Sequence, residues 1–159
     1  MGTRWRDFAM PKKLVCEEST LTDTYGKFIA EPFERGFGAT IANSLRRTLI
    51  SSIEGAAPTS LKLDGVLHEF TTIPGVMEDV TQLVLNVKQL VLRSHSRRPK
   101  ALVVERDKKG VITAGDLETD ETVEIINPDL HLCTLTKAGK FRMEVEVSRG
   151  RGYVVAERH

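Results

Sequence analysis

Glu34-Arg-Gly-Phe-Gly-Ala-Thr-Ile-Ala-Asn-Ser-Leu-Arg-Arg-Thr-Leu-Ile-Ser-Ser52 is the stretch around which the chain is organised. It opens as a glycine-punctuated turn at Gly36 and Gly38 and continues as the strongest amphipathic pattern in the sequence. At about 100° per residue, Ile41, Ala42, Leu45, Leu49 and Ile53 share one arc, which predicts a helix with a core-facing stripe. Asn43, Arg47 and Ile50 stand on the opposite face at i, i+4 and i+7, with Arg46 at its boundary. An isoleucine between an amide and a guanidinium is either a stray exposed apolar residue, which is common, or part of a contact surface.

Outward from that helix, Lys12 to Glu18 and Tyr25 to Ala30 read as short strands, separated by a turn at Ser19 to Thr24 and ended by Pro32. Gly55 reads as a helix C-terminal cap. Ser60 to Leu63 and Val66 to Thr71 flank Asp64-Gly65, a hairpin signal. Pro74-Gly75 introduces a second helix, about Met77 to Gln89. Val76, Val80, Leu83, Val84 and Val87 form its expected core stripe, and Glu78, Gln82, Asn86 and Gln89 its polar side. Leu85 falls among the polar residues, and the simplest reading covers it with neighbouring loops.

Strands are expected at Leu90 to Arg93, Ala101 to Glu105, Val123 to Ile126, Leu130 to Leu135 and Phe141 to Val147. The last alternates cleanly, with Phe141, Met143, Val145 and Val147 on one side. Asp107 to Gly110 and Thr136 to Lys140 read as hairpin turns. The predicted class is therefore α+β. A strand–strand–helix part spans 1–54, and a mainly antiparallel β part with one helix spans 55–159. The first part is too small to fill a core of its own.

The 159 residues carry 23 Lys+Arg against 22 Asp+Glu, a formal net charge of +1, so charge alone makes no case for a nucleic-acid binder. No apolar run reaches membrane-span length, and Trp5-Arg6-Asp7 interrupts any signal-peptide core. Cys16 and Cys133 are too few for a disulfide framework and fit a reducing cytosol, with one bridge left open.

His131-Leu-Cys133, with Cys16 and His68 elsewhere, lacks the spacing of a zinc site. Gly36-Phe-Gly38 lacks the third glycine of a dinucleotide loop, Ile41 standing in its place, so the glycines shape a tight helix entry. No catalytic elbow or dyad motif occurs, and no cofactor is implied. Two basic clusters remain. Arg93, His95, Arg97, Arg98 and Lys100 read as a loop balanced by Asp116, Glu118, Asp120, Glu121 and Glu124. Arg149-Gly-Arg-Gly-Tyr153 reads as a shaped turn presenting Arg151 and Tyr153.

Several of these words together resemble the amino-terminal domain of the bacterial RNA polymerase alpha subunit. Glu31-Pro-Phe-Glu-Arg-Gly-Phe-Gly38 with Asn43-Ser-Leu-Arg-Arg47 looks like the family's first block. Asp64-Gly-Val-Leu-His-Glu-Phe70, Gly75-Val-Met-Glu-Asp-Val80 and Leu85-Asn-Val-Lys88 look like its second, and Arg149-Gly-Arg-Gly-Tyr-Val154 like its third. The blocks run in order over nearly the whole chain.

The resemblance implies a non-catalytic scaffold in a cytoplasmic nucleotidyltransferase complex, on which the beta and beta-prime subunits assemble. It implies a beta-facing set of Arg35, Asn43, Arg46, Arg47 and Ile50 and a beta-prime-facing pair, Gln82 and Lys88. Gln82 departs from the acidic residue often found there. Ile41, Leu45 and Leu49 are expected to form the core of the assembly helix.

The family's domain continues past the third block, returning to the first part to complete a homodimerisation domain, and a DNA-binding domain follows. The expectation is a chain with the insert domain nearly complete, the dimerisation domain half present, and no direct DNA contact. The competing reading is a free-standing nucleic-acid-binding module that uses the two basic clusters.

Overall fold

The computed structural model describes residues 8–158. It divides into two compact units, one ending at Ile50 and the other beginning at Ser51. Strands and helices mix as an α+β fold, with antiparallel pairing throughout.

In the first unit, β1 (Val15–Cys16) pairs antiparallel with β2 (Phe28–Ile29). The strands expected over seven and six residues shrink to two each, because only Val15↔Ile29 and Cys16↔Phe28 find partners. Helix α1 (Phe37–Ser52) follows a turn in which Gly36 adopts φ +83°, a conformation suited to glycine. The Phe37 amide closes that turn on the Glu34 carbonyl at 3.0 Å.

α1 forms where the pattern places it, but it buries none of its sixteen residues. Ile41 is half-buried and Ala42 exposed, while Leu45 is 56%, Leu49 61% and Ile53 58% exposed. The expected core stripe is thus an open face. A helix about 24 Å long cannot be covered by a pair of two-residue strands. Thr40, Ser44 and Thr48 each donate their hydroxyl to the carbonyl four residues back.

The second unit is built on a sheet of order β5-β9-β3-β4-β7. Its strands are β3 (Glu54–Leu63), β4 (Leu92–Ser94), β5 (Lys100–Arg106), β7 (Val123–Ile125) and β9 (Phe141–Arg151). A smaller ladder joins β6 (Gly110–Thr113) to β8 (His131–Leu135). Helix α2 (Val80–Val87) packs on β8.

Phe141, Met143, Val145 and Val147 are all buried, as their alternation predicts. They share a core with Leu83, Leu102, Ile112 and Leu132. Each such side chain contributes roughly 1.5–3 kcal/mol on removal from water.

Four local expectations are overturned. Gly55 is no helix cap: β3 begins at Glu54, and Gly55 pairs with Gly150. The strand passes through Pro58, where a bulge between Pro58 and Ser60 absorbs one residue and keeps Leu61 and Leu63 opposite Val145 and Met143. Val66–Thr71 forms no strand after the Asp64-Gly65 turn, and Ser60–Leu63 takes its ladder partners from Met143–Glu146 of β9 instead. Asp107–Gly110 and Thr136–Lys140 are not hairpins, because each carries the chain from one sheet to the other. Finally, Arg149-Gly-Arg151 is ladder rather than turn; the turn starts at Gly152, with φ +64°.

Helix α2 is shorter than the expected Met77 to Gln89. Asp79 caps it in extended backbone, accepting the Gln82 amide at 2.6 Å, so Met77 and Glu78 precede it as a bend. Asn86, assigned to the polar side, is buried. The strand β6 carries no clear sequence signal, since Gly110-Val-Ile-Thr113 is short and follows a charged run.

Candidate protein-interaction surfaces

Two helix faces and one loop carry the exposed chemistry. On α1, Asn43, Arg46, Arg47 and Ile50 are all exposed, Ile50 at 62%. Helical spacing puts Asn43, Arg47 and Ile50 on one face. Arg35 is exposed in the turn just before the helix. The same unit has an open apolar groove lined by Met10, Pro11, Leu14, Phe33, Phe37 and Ile41. Its rim is fixed locally: the Glu34 amide donates to the Ala9 carbonyl at 3.0 Å, and Phe8 meets Phe37 edge-on at 4.9 Å.

On α2, Gln82, Leu85 and Lys88 succeed one another at three-residue steps and are all exposed. Leu85 is 49% exposed, so loops do not cover it. Gln82 is tied into the helix, its amide donating to Asn86 Oδ1 at 3.3 Å. Asn86 Nδ2 in turn donates to the Leu132 carbonyl at 2.9 Å, which explains how an amide is tolerated inside the core. Lys88 is the helix C-cap, where a cation suits the dipole.

Sequence reasoning missed two features here. One is the segment before α2, which displays Leu67 at 98% exposure, Phe70 at 79% and Met77. The Thr81 hydroxyl holds it by donating to the Glu69 carbonyl at 3.0 Å. The other is Glu78, whose carboxylate accepts the Thr134 amide at 2.7 Å and meets His131 Nε2 at 2.8 Å. Burial pushes the Glu78 carboxyl up, but the Thr134 amide and His131 outweigh it and hold the group below its ordinary value. Glu78 and Asp79 stand side by side in Val76-Met-Glu-Asp-Val80, and nothing in that order marks which carboxylate turns inward.

The basic clusters are partly neutralised. Arg93 meets Glu124 at 3.0 Å and Lys100 meets Asp120 at 2.5 Å, pairing the loop with the acidic run as the sequence implies. Arg149 and Arg151 both close on the Glu54 carboxylate, at 2.8 and 3.0 Å. The ion pairs take up part of the positive charge of both clusters, and nothing in this geometry favours a free-standing nucleic-acid module.

Cys16 and Cys133 are both free thiols, and Cys133 is fully buried. No group of three or more metal-ligating side chains occurs among the described residues, and none of their helices is long and apolar enough to cross a membrane.

A family model described as the RNA polymerase Rpb3/RpoA insert domain matches residues 60–159. Curated relatives called DNA-directed RNA polymerase subunit alpha match over most or all of the chain. The one from Rhodopirellula baltica is 54% identical over 159 residues, 100% of this chain and 48% of that protein. The one from Symbiobacterium thermophilum is 58% identical over 137 residues, 86% and 44% of the two lengths. The one from Geobacter metallireducens is 51% identical over 159 residues, 100% and 47%. The chain thus spans about half the length of the curated relatives it matches.

Proposed function

We propose that this chain, which belongs to the RNA polymerase Rpb3/RpoA insert-domain family, acts as a non-catalytic assembly subunit of a DNA-directed RNA polymerase in the cytoplasm. The observation that carries the reading is α1, a sixteen-residue helix with no buried residue, whose two faces differ in chemistry. Its leucines are exposed apolar area on which further protein can close.

On this reading, Asn43, Arg47 and Ile50, flanked by Arg35 and Arg46, face the beta subunit. A guanidinium offers a fork of donors to carbonyls or carboxylates, and a neighbouring isoleucine excludes water around it. Ile41, Leu45 and Leu49 form the side on which further protein closes, a second alpha copy included. In the other unit, Gln82, Leu85 and Lys88 face beta-prime. No residue is assigned to chemistry, because the role is to hold larger subunits in place.

The test is capture of beta by the wild-type chain and by Arg47→Ala. Arg47 is exposed, so the substitution should leave the circular dichroism spectrum intact while lowering capture about tenfold or more, as expected for an interface arginine of hot-spot rank. Normal capture by a correctly folded variant would remove Arg47 from the interface.

A further inference from the structure

We propose that Glu78 is a positioning residue for the α2 face: its side chain stands in for a missing strand on one edge of β8 and so fixes where α2 begins. This rests on the reading of Gln82, Leu85 and Lys88 as a partner surface.

β8 has β6 along one edge. Along the other runs the segment from Ile73 to Asp79, which is joined to β8 by an isolated bridge, Val76↔Leu135. Its bonds to β8 come in order. The Gly75 carbonyl accepts both the Thr136 amide at 2.8 Å and the Thr136 hydroxyl at 3.1 Å. The Met77 amide donates to the Thr134 carbonyl at 2.9 Å.

In a regular antiparallel ladder the Thr134 amide would return a bond to the carbonyl of residue 77. Here Glu78 Oε2 takes that amide at 2.7 Å instead, and Oε1 meets His131 Nε2 at 2.8 Å. The Glu78 side chain is only 12% exposed, so its two oxygens are spent on β8.

The next residue, Asp79, caps α2 through the Gln82 amide at 2.6 Å. One carboxylate therefore binds the sheet and the adjacent one starts the helix, leaving little freedom between them. Gln82 lies in the first turn after this junction, so its place relative to β8 is set by Glu78 at one end and by the Asn86 bond to Leu132 at the other.

The test compares Glu78→Ala with Glu78→Gln in the whole chain. The first removes the acceptor; the second keeps a carbonyl that accepts the Thr134 amide. Two readouts are taken: hydrogen exchange of the Thr134 and Met77 amides by NMR, and affinity for beta-prime.

Glu78→Ala should speed Thr134 exchange about tenfold or more, the scale of a lost charge-assisted bond in a local opening, and should weaken beta-prime binding in parallel. Glu78→Gln should recover most of both. Unchanged exchange in Glu78→Ala, or no recovery in Glu78→Gln, overturns the positioning role. Faster exchange with normal beta-prime affinity also overturns it, while a loss of affinity in Lys88→Ala would leave the α2 face standing. If Gln82→Ala and Lys88→Ala both bind beta-prime normally, the α2 face itself fails and takes this proposal with it.

Discussion

Asn86→Ala should destabilise the second unit by about 2 kcal/mol. Asn86 is 9% exposed and donates to the carbonyl of Leu132, a residue with no exposed surface, at 2.9 Å. Alanine leaves that carbonyl without its side-chain donor, and a buried unsatisfied acceptor costs roughly 1–3 kcal/mol. Loss of the amide's packing adds to this, while alanine's better helix propensity returns about 0.5 kcal/mol. The other partner contributes little, because the Gln82 side chain is exposed and water can replace Asn86.

At about 4–8 °C per kcal/mol for a unit of this size, the melting temperature should fall by roughly 10 °C. Asn86→Leu should not rescue it, since leucine fills the space without supplying a donor. Urea titration followed by circular dichroism measures the change. A loss under about 0.5 kcal/mol for Asn86→Ala, or full stability in Asn86→Leu, would refute the reasoning that the bond to Leu132 sets the cost.

Two further outcomes are expected. The hydrogen bond from Lys100, helped by Thr122, holds the Asp120 carboxyl at about 2 against an ordinary value of 3.8. A depressed folded value contributes stability above the unfolded one and loses it as pH falls from about 4 through about 2; acid titrations of wild type and Asp120→Asn should diverge above that window and converge below it. Cys133 is fully buried, and burial reinforced by the Glu78 charge pushes its thiol up to about 12. Iodoacetamide should therefore modify Cys133 only as the protein unfolds, as followed by peptide mass analysis at increasing urea.

What the sequence made legible was periodicity that tertiary structure respects. Phe141, Met143, Val145 and Val147 alternate cleanly and all lie in the core. The balance of Arg93 and Lys100 against Glu124 and Asp120 was also readable from charge.

What stayed hidden depended on partners distant in sequence. Glu54-Gly-Ala-Ala-Pro58 has poor strand propensity and becomes strand because β9 supplies a full ladder. The Asp64-Gly65 signal gave a turn but no hairpin, since the neighbour of β3 is set by topology and not by the turn. Leu45 and Leu49 follow a core pattern and yet are exposed, because a wheel shows which face is apolar and not what covers it. Asn86 looked solvated because a single polar residue on a helix gives no sign of a carbonyl waiting at Leu132.

The fork at Glu54 has a consequence for how β3 finds its alignment. Glu54 lies opposite Arg151, and Arg149 is two residues away on the same face of β9. A slip of one residue would send both guanidiniums to the opposite face and leave the carboxylate unanswered. The nearest core side chain on that face of β9 is Val147, paired with Pro58 just before the bulge, so burial and charge there specify the same frame. The three charges act as a checksum at the far end of the ladder: against a one-residue slip they repeat, beyond the last buried side chain, the frame that Val147 sets.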